Sequence, residues 1–398
     1  MDWRLIKALW ITGNFFPLVG GLEIYTDRAV GSLSEVCEVK LLTQHGQGPC
    51  TNQRVAHFAV PHLGFPESQA QWQTARRLVG EQIAEFSPDI VHFANAGVAV
   101  YRDAVPFGIP TVATVHGNDL TAPWQWVPGE HVPARMIASL SRCDHLFAVS
   151  SHTAELVERS GVQGPVTVIT AGCDTTYFRP AAEGGEAIRK EFGIADKRPI
   201  VLTVGRLVPR KGHKCILEAV RRLPIEVHWI VVGDGPMVDS LSKSIRESGL
   251  AHRTTLAGSV SDEKLLQLYN ACNLFVLVPE ERRHKNYIDS EGFGLVFQEA
   301  GACAKPVIGS DISGCRDAVI DGATGLLVPP GDAEALAGAM QKVLEEPGLA
   351  KKLGNNAMNF LRASGGWGRF AKQTVEQYRE VIANRKMLAE HSYANRSI

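Results

Sequence analysis

Short apolar runs alternate with amphipathic stretches of helix length through the first part of the chain. The runs are bounded by glycine and polar residues and lie at residues 5–11, 36–43, 90–93, 111–115, 145–149 and 166–169. Strands that alternate with helix-length segments favour crossover connections, which produce a parallel sheet with helices on both faces. The pattern predicts an α/β fold with a doubly wound, Rossmann-like domain over residues 1–180.

A polar stretch with several glycines and prolines at residues 178–199 interrupts this pattern and is expected to be a linker. Apolar runs then resume at residues 200–204, 227–232, 254–257, 274–278, 306–308 and 325–328. They predict a second Rossmann-like domain over residues 195–366. The rest is predominantly helical, and we expect a final helix, about 368–398, that crosses back to the first domain with Trp367 and Tyr378 as anchors. Since loops gather at the carboxyl ends of parallel strands, a ligand is expected in a cleft between two facing domains.

Composition narrows the classes of function. The chain has 398 residues, a net charge of -1, 45% hydrophobic and 21% charged residues, which are values of a folded globular protein. The balance gives no general attraction to nucleic acid, but residues 1–180 hold 12 Lys+Arg against 16 Asp+Glu, which leaves 29 against 26 for the remainder. The second half is therefore the favoured place for an anion. Eight scattered cysteines without CxxC spacing and the absence of a spanning apolar run predict a cytoplasmic protein with buried thiols.

A basic loop follows the run at 200–204. It reads GRLVPRKGH and places Gly205, Arg206, Arg210 and Lys211 after a predicted strand. A guanidinium fork and an ammonium group neutralise a diphosphate without a metal. The alternative is a solvated basic loop, and the position after a strand favours the anion site.

Two glutamates, Glu291 and Glu299, lie eight positions apart in the segment that follows the run at 274–278. Gly292 and Gly294 free the backbone between them, and a helix is expected to begin near Leu295 with its first N–H groups facing the ligand. A carboxylate accepts hydrogen bonds from the vicinal hydroxyls of a ribose or hexose. Glutamates on an ordinary surface, the alternative, would need no such glycine setting.

Two glycine turns are weaker candidates. Gly20 and Gly21 precede an amphipathic helix, where free N–H groups could bind phosphate, although a Gly-Gly pair is more often a plain turn. Gly233 and Asp234 follow the run at 227–232 and would let the backbone approach a base or a ribose, although a tight turn between a strand and a helix is equally consistent.

A polar turn after the run at 111–115 carries His116, Asn118 and Asp119. An imidazole here can hydrogen-bond and polarise a substrate, and the two acidic or amide side chains are candidates for acceptor binding. The alternative is a turn in which Asn118 and Asp119 cap the next element.

Several motifs are missing from the sequence. It contains no DxD or HxH cluster, no GxSxG, no P-loop and no CxxC. Hydrolase, kinase and redox functions are therefore disfavoured, and the cations of the basic loop would have to do the electrostatic work of a metal.

The loops, in this order, resemble those of the retaining GT-B glycosyltransferases of family four (glycosyl transferases group 1), including bacterial mannosyl- and glucosyltransferases. The resemblance covers nearly the whole chain and is strongest at GRLVPRKGH (205–213), EGFGLVFQE (291–299) and DAVIDGATGLLVPPGD (317–332). It implies a retaining transferase that uses no metal and no cofactor and takes a hexose from a GDP- or UDP-linked sugar. The implied acceptor is a hydroxyl of a glycan, a lipid-linked or a small molecule in cell-envelope or polysaccharide biosynthesis.

The resemblance also implies roles for individual residues. Those matching Arg206 and Lys211 bind the donor diphosphate, the one matching Glu299 holds the ribose, and the one matching Glu291 lies by the transferred sugar. His116 would contact the donor hexose, and the loop at Gly20–Gly21 would close over phosphate and acceptor. The remaining implied donor-binding positions are Gly205, Gly233, Asp234, Phe293, Gly294, Leu295 and Val296.

The segment 280–290 is longer and more charged than in many members, with Arg282, Arg283, His284 and Lys285. It resembles the version in some bacterial mannosyltransferases, which favours GDP-mannose over UDP-glucose. Alternatively, these cations recognise an anionic acceptor or face solvent.

Two rival functions and one location stay open. A sugar-nucleotide 2-epimerase shares the architecture but should lack the Glu291/Glu299 spacing. A non-catalytic sugar-nucleotide-binding protein should have lost Lys211, Arg206 or Glu299. The stretch 68–86 is amphipathic, with Trp72 near its start. It permits peripheral contact with the inner face of the membrane, or simple packing on the sheet.

Overall fold

The structure is a computed structural model that describes residues 5–16, 20–45, 54–64, 66–121, 132–181, 185–195, 197–283 and 288–394. The chain divides into two compact units. Unit 1 comprises Met1–Gly172, His284–Ile288 and Trp367–Ile398, and unit 2 comprises Cys173–Arg283 and Asp289–Gly366. Each unit is built around its own parallel sheet.

Unit 1 contains a seven-stranded parallel sheet with strand order β3-β2-β1-β4-β5-β6-β7. The elements of the first half are β1 Lys7–Ile11, α1 Gly21–Leu33, β2 Glu38–Thr43, β3 Ala56–Ala59, α2 Gln69–Phe86, β4 Ile90–Phe93, β5 Thr111–Val115, α3 Asn118–Thr121, α4 Val132–Leu140, β6 His145–Ala148, α5 Ser151–Arg159 and β7 Val166–Val168. Strands β1, β4 and β5 are almost entirely buried, as expected for a sheet covered on both faces.

Unit 2 contains a six-stranded parallel sheet with order β10-β9-β8-β11-β14-β15. Its elements are α6 Gly185–Glu191, β8 Ile200–Val204, α7 His213–Arg222, β9 His228–Val232, α8 Val238–Glu247, β10 Thr254–Gly258, α9 Asp262–Ala271, β11 Leu274–Val276, β12 Arg282–Arg283, β13 Ile288–Asp289, α10 Leu295–Ala302, β14 Val307–Ser310, α11 Cys315–Ala318, β15 Leu326–Val328, α12 Ala333–Glu345 and α13 Pro347–Ala363. The long helix α14, Gly366–Ala394, follows.

The predicted fold class, with two doubly wound α/β sheets, is confirmed. The expected strands form with ends shifted by at most two residues, and the sequence missed β3 (Ala56–Ala59) and the short β12 and β13. The missed β3 lies at the sheet edge, and its four residues AHFA are half-buried or exposed, so they give no apolar run to recognise.

The long helix α14 groups with unit 1 from Trp367 onwards. Its Tyr378 is fully buried and accepts a hydrogen bond from the indole Nε1 of Trp10 at 3.0 Å. Trp367 is half-buried and packs edge-on against Tyr25, with ring centroids 5.7 Å apart. Both predicted anchors therefore contact unit 1.

The amphipathic helix α2 turns its apolar face inwards. Trp72, Val79 and Ile83 are buried in the core of unit 1. This packing accounts for the apolar stripe of α2. In the part of the chain that the structure describes, no helix is long and apolar enough to cross a membrane. The seven cysteines in that part are buried and unpaired.

Candidate functional site

The basic loop of unit 2 runs from the end of β8 to the start of α7. Gly212, with φ 72°, is left-handed, and a Cβ on it would lie 1.9 Å from the carbonyl oxygen of Val278. Only glycine permits this approach. The Glu280 N–H donates to the carbonyl of Arg210 at 2.7 Å, which fixes the loop against the segment after β11. The loop is thereby brought beside Glu291.

Two cations of this loop bind one carboxylate oxygen of Glu291. The Lys211 Nζ lies 2.6 Å and an Arg210 guanidinium nitrogen 2.9 Å from Glu291 Oε2. The Nε of Arg210 also lies 3.0 Å from the Oδ1 of Asp289. The Glu291 side chain is 9% exposed and that of Lys211 11%. Two cations and two carboxylates thus form a nearly buried cluster with no net charge.

The cluster keeps Glu291 ionised. Burial raises the pKa of its carboxyl, but the charges and hydrogen bonds of Lys211 and Arg210 outweigh burial and lower that pKa to about 2. A buried carboxylate with two cationic donors is stable in its charged form. Glu291 therefore carries its negative charge throughout the neutral pH range.

Arg206 differs from the other two cations of the loop. Its side chain is exposed, and it makes no hydrogen bond or ion pair with any residue that the structure describes. The sequence grouped Arg206 with Lys211, whereas the contacts group Arg210 with Lys211. Arg210 was the residue that sequence reasoning missed, although a carboxylate at Asp289, two positions before Glu291, was a signal for a second partner. Arg206 therefore lies outside the charged cluster.

Glu299 lies in the second turn of α10, close to where the sequence placed it. The Tyr269 hydroxyl on α9 donates to its Oε2 at 2.7 Å. Tyr269 is fully buried, and burial together with the Glu299 charge raises its pKa well above the usual range. The hydroxyl thus remains protonated and orients the half-buried carboxylate.

Helix α10 begins after a glycine that shapes its entry. Gly294 has φ 88°, and a Cβ there would lie 2.7 Å from the Phe297 ring. Phe293 is buried, and Leu295 and Val296 are half-buried in the first turn of α10. The geometry of a helix leaves its first N–H groups without acceptors inside the helix, which suits an anion.

The turn at Gly233–Asp234 packs directly on the basic loop. A Cβ on Gly233 would lie 2.1 Å from the Gly205 carbonyl oxygen, and the Leu207 N–H donates to the Asp234 carbonyl at 2.8 Å. Strands β9, β8 and β11 are neighbours in the sheet. Each sequence-predicted site residue of unit 2 follows one of these three adjacent parallel strands. These residues therefore lie together at the carboxyl ends of the strands.

In unit 1, His116 follows β5 and is held in one orientation. Its Nε2 lies 2.9 Å from the Ala94 carbonyl oxygen, which can only accept, so Nε2 carries the hydrogen. Burial lowers the pKa of His116, against smaller raising effects from Asp119 and the Ala94 carbonyl. The neutral ring thus keeps a lone pair on Nδ1. The His116 and Tyr25 rings are nearly perpendicular, and their centroids are 4.7 Å apart.

Asp119 ties two loops of unit 1 together. Its carboxylate oxygens accept the N–H groups of His116 and Ala96, each at 2.8 Å, and the residue is 9% exposed. Asn118 is the first residue of α3. One of these donors belongs to the turn that begins at His116 and the other to the loop after β4. Acceptor binding by Asn118 and Asp119 stays a prediction.

The glycine pair of unit 1 stands at the start of α1. Gly20 is the N-cap residue in an extended conformation and Gly21 the first helical residue. A Cβ on Gly20 would lie 2.7 Å from Glu23 Oε2. A carboxylate therefore lies beside the helix terminus that the sequence offered to phosphate.

Among the described residues, no group of three or more His, Cys, Asp or Glu side chains could hold a metal ion.

Comparison with known proteins gives matches along most of the chain. The family described as Glycosyl transferases group 1 matches residues 185–360, and the family described as Glycosyltransferase Family 4 matches residues 19–177. The chain is 28% identical over 362 residues to a GDP-mannose-dependent alpha-(1-6)-phosphatidylinositol monomannoside mannosyltransferase of Mycolicibacterium smegmatis, covering 87% of this chain and 91% of the relative.

A second relative and a solved structure agree. Over 410 residues the chain is 29% identical to a D-inositol 3-phosphate glycosyltransferase of Kineococcus radiotolerans, covering 92% of each. The crystal structure of Anabaena Alr3699/HepE in complex with UDP and glucose superposes with a TM-score of 0.77 at 22% identity, covering 94% of this chain and 100% of the other. This structural similarity concerns the fold.

Proposed function

Because the chain is a hexosyltransferase that belongs to the family 4 glycosyltransferases with the GT-B fold, we propose that it moves a hexose from a nucleotide-diphosphate sugar to a hydroxyl acceptor. The transfer retains the anomeric configuration and uses no bound metal. The observation that carries the proposal is the cluster of Lys211, Arg210 and Glu291 in the loop that also holds Arg206, whose exposed side chain has no partner among the described residues. This edge of unit 2 can accept a diphosphate, whose charge the cations neutralise.

Different residues of unit 2 bind different parts of the donor. Arg206 and Lys211 bind the diphosphate, the glycine turn at Gly233–Asp234 receives the base, and Glu299 accepts the ribose hydroxyls. The hydrogen bond from Tyr269 supports the last role, since it fixes one carboxylate oxygen of Glu299 and so restricts the side chain to one orientation. Stabilisation of the departing nucleoside diphosphate by fixed charges supplies most of the catalysis.

The acceptor is activated without a dedicated base. Glu291 is held ionised but is bound by two cations, and His116 donates Nε2–H to a backbone carbonyl. We assign the acceptor proton to the leaving phosphate, which departs from the same face in a retaining transfer. In this scheme the neutral His116 acts as a hydrogen-bond partner of the hexose.

The proposed donor is GDP-mannose, and the first acceptors to examine contain inositol. The mycobacterial relative is named as GDP-mannose-dependent and as acting on a phosphatidylinositol mannoside, and the Kineococcus relative as acting on inositol 3-phosphate. The exposed Arg282 and Arg283 add positive charge, while His284 and Lys285 lie outside the described residues. A lipid-linked acceptor would place the enzyme at the cytoplasmic face of the membrane, in cell-envelope synthesis.

A donor screen tests the proposal. Purified protein is incubated with labelled GDP-mannose, UDP-glucose and UDP-N-acetylglucosamine, each with inositol, inositol 3-phosphate and phosphatidylinositol vesicles, with and without EDTA. We expect transfer from GDP-mannose that EDTA leaves unchanged and an α-linked product by NMR. Loss of activity in EDTA, or a β-linked product, would contradict the metal-free retaining reaction. Absence of binding and turnover with every donor would overturn the proposed function itself.

A further inference from the structure

We propose that Arg210 is a positioning residue of the transfer reaction. It holds Glu291 ionised and in place at the stage when Lys211 turns from Glu291 to the donor diphosphate. This inference rests on the proposed function, in which Lys211 binds the diphosphate.

Arg210 makes more contacts in the cluster than Lys211 does. Its guanidinium binds Asp289 through Nε at 3.0 Å and Glu291 through a terminal nitrogen at 2.9 Å. Lys211 binds Glu291 alone, at 2.6 Å. A planar fork between two carboxylates is fixed in orientation, whereas an ammonium group on a flexible stem can exchange one anion for another. Arg210 is thus the permanent partner of Glu291, and Lys211 is the exchangeable one.

The arrival of a diphosphate makes this difference important. The Glu291 side chain is 9% exposed and shares Lys211 with whatever anion enters. A buried carboxylate that loses its only cation must take up a proton or move towards water. The remaining bond to Arg210 prevents both outcomes. Since Arg210 is itself neutralised by Asp289, the diphosphate gains little by competing for it.

Arg210 also fixes the segment that leads into Glu291. Its backbone carbonyl accepts the Glu280 N–H at 2.7 Å, and its guanidinium holds Asp289 and Glu291. One residue therefore contacts both ends of the segment 280–291. The place of Glu291 relative to the basic loop depends on this double attachment.

The test compares Arg210→Met and Arg210→Lys with the wild-type enzyme. We expect Arg210→Met to lower kcat on the order of 10- to 100-fold, the scale of a misplaced group, while the KM for the donor changes less than about threefold. Arg210→Lys should restore part of kcat because it keeps the charge without the fork. The acid limb of the kcat profile should move to higher pH in Arg210→Met, since Glu291 loses a cation.

One control variant, one substitute variant and two contrary results complete the test. Arg221→Met removes an exposed arginine that pairs with Glu218 on α7, and it should leave kcat unchanged. Asp289→Asn should lower kcat less than Arg210→Met does, because it removes only one of the two carboxylates that hold the guanidinium. It replaces Arg210→Met as the test variant if that protein fails to fold. A raised donor KM with unchanged kcat would mean that Arg210 binds the diphosphate, and unchanged kinetics would mean that it has no role; either result overturns the inference.

A measurement that needs no turnover separates this inference from the proposed function. Thermal stability is followed from pH 6 to pH 2.5 for wild type, Glu291→Gln, Arg210→Met and the double variant Arg210→Met/Glu291→Gln. If Arg210 holds Glu291 ionised, the stability that Glu291 adds over Gln should be lost at a higher pH in the Arg210→Met pair than in the wild-type pair. The same pH in both backgrounds would overturn the role of Arg210 even in a protein that shows no transfer.

Discussion

Each unit holds a buried polar network, and the two networks differ in charge. In unit 1 the Trp10 indole donates to the Tyr378 hydroxyl at 3.0 Å, and His92 Nδ1 lies 2.5 Å from the same hydroxyl. His92 Nε2 lies 2.7 Å from the Thr114 hydroxyl. Burial lowers the pKa of His92 well below, and raises the pKa of Tyr378 well above, their usual ranges. All four groups are therefore neutral.

The unit 2 network of Arg210, Lys211, Asp289 and Glu291 is ionised throughout. In unit 1 an indole can only donate, so the Tyr378 proton is left for His92 Nδ1, and the hydrogen bonds run in one direction. Such a network fixes α14 to the sheet, and its hydrogen bonds are already matched between donors and acceptors. In unit 2 Arg210 and Lys211 share one oxygen of Glu291, and in the proposed function Lys211 leaves this oxygen to bind the donor diphosphate. The comparison teaches that a buried neutral network attaches a helix in unit 1, whereas the buried charged network of unit 2 lies in the loops to which donor binding is proposed.

The largest effect is expected when Lys211, the cation proposed to exchange Glu291 for the diphosphate, is removed. Lys211→Ala should lower kcat/KM on the order of 10²- to 10³-fold, because a fixed charge at the leaving group is lost. Initial rates with the active donor measure it. Lys214→Ala, at an exposed lysine on α7, is the matched control and should be unchanged. Full activity in Lys211→Ala would remove this residue from the site.

The charge of Glu291 should make the free energy of unfolding depend on pH in acid. Its carboxyl pKa is about 2 in the folded state against a model-compound value of 4.5, so its stabilisation is present above pH 4.5 and lost as the pH falls through about 2. The wild-type advantage over Glu291→Gln, about 3 kcal/mol from this shift, should shrink across that window. Urea unfolding at each pH measures it. A difference that stays constant from pH 6 to 2.5 would contradict the ionised cluster.

The neutral network should affect stability but not chemistry. Tyr378→Phe leaves Trp10 Nε1 and His92 Nδ1 without their partner, at a cost of about 2 kcal/mol in the free energy of unfolding. Tyr101→Phe is the matched control, because the Tyr101 hydroxyl is buried without a hydrogen-bond partner among the described residues. We expect urea unfolding to separate the two variants, while kcat stays at the wild-type value in both. A fall in kcat for Tyr378→Phe alone would show that the neutral network reaches the chemistry.

The smallest effect is expected at Arg206. Arg206→Ala should raise the donor KM roughly tenfold, equivalent to about 1.4 kcal/mol, because one phosphate contact is lost. The exposed side chain has no partner among the described residues, so the free energy of unfolding should change by less than about 0.5 kcal/mol. Donor titrations and urea unfolding measure the two quantities. A large loss of stability would show that Arg206 belongs to the structural cluster after all.

The sequence predicted the elements that rest on local patterns. Buried central strands such as Thr111–Val115 and Ile200–Val204 appear at their predicted bounds because five apolar or β-branched residues in a row form a strand with both faces covered. The edge strand β3 escaped because edge residues need no apolar run. The turn at His116 was recognised, but the sequence could not show that Asp119 joins this turn to the loop at Ala96, because Ala96 lies 23 residues away along the chain.

By itself the sequence determined two parallel sheets and the loops that carry Arg206, Lys211, Glu291 and Glu299, because periodicity and glycine placement are local properties. Only the tertiary structure decided which charges are already satisfied. Arg206 and Arg210 look alike in the sequence, yet one is exposed and the other lies between two carboxylates. The reason is physical: the close approach at Gly212 turns Arg210 and Lys211 towards Glu291, about 80 residues away. A contact over that separation depends on the packing of adjacent strands, which no local pattern specifies.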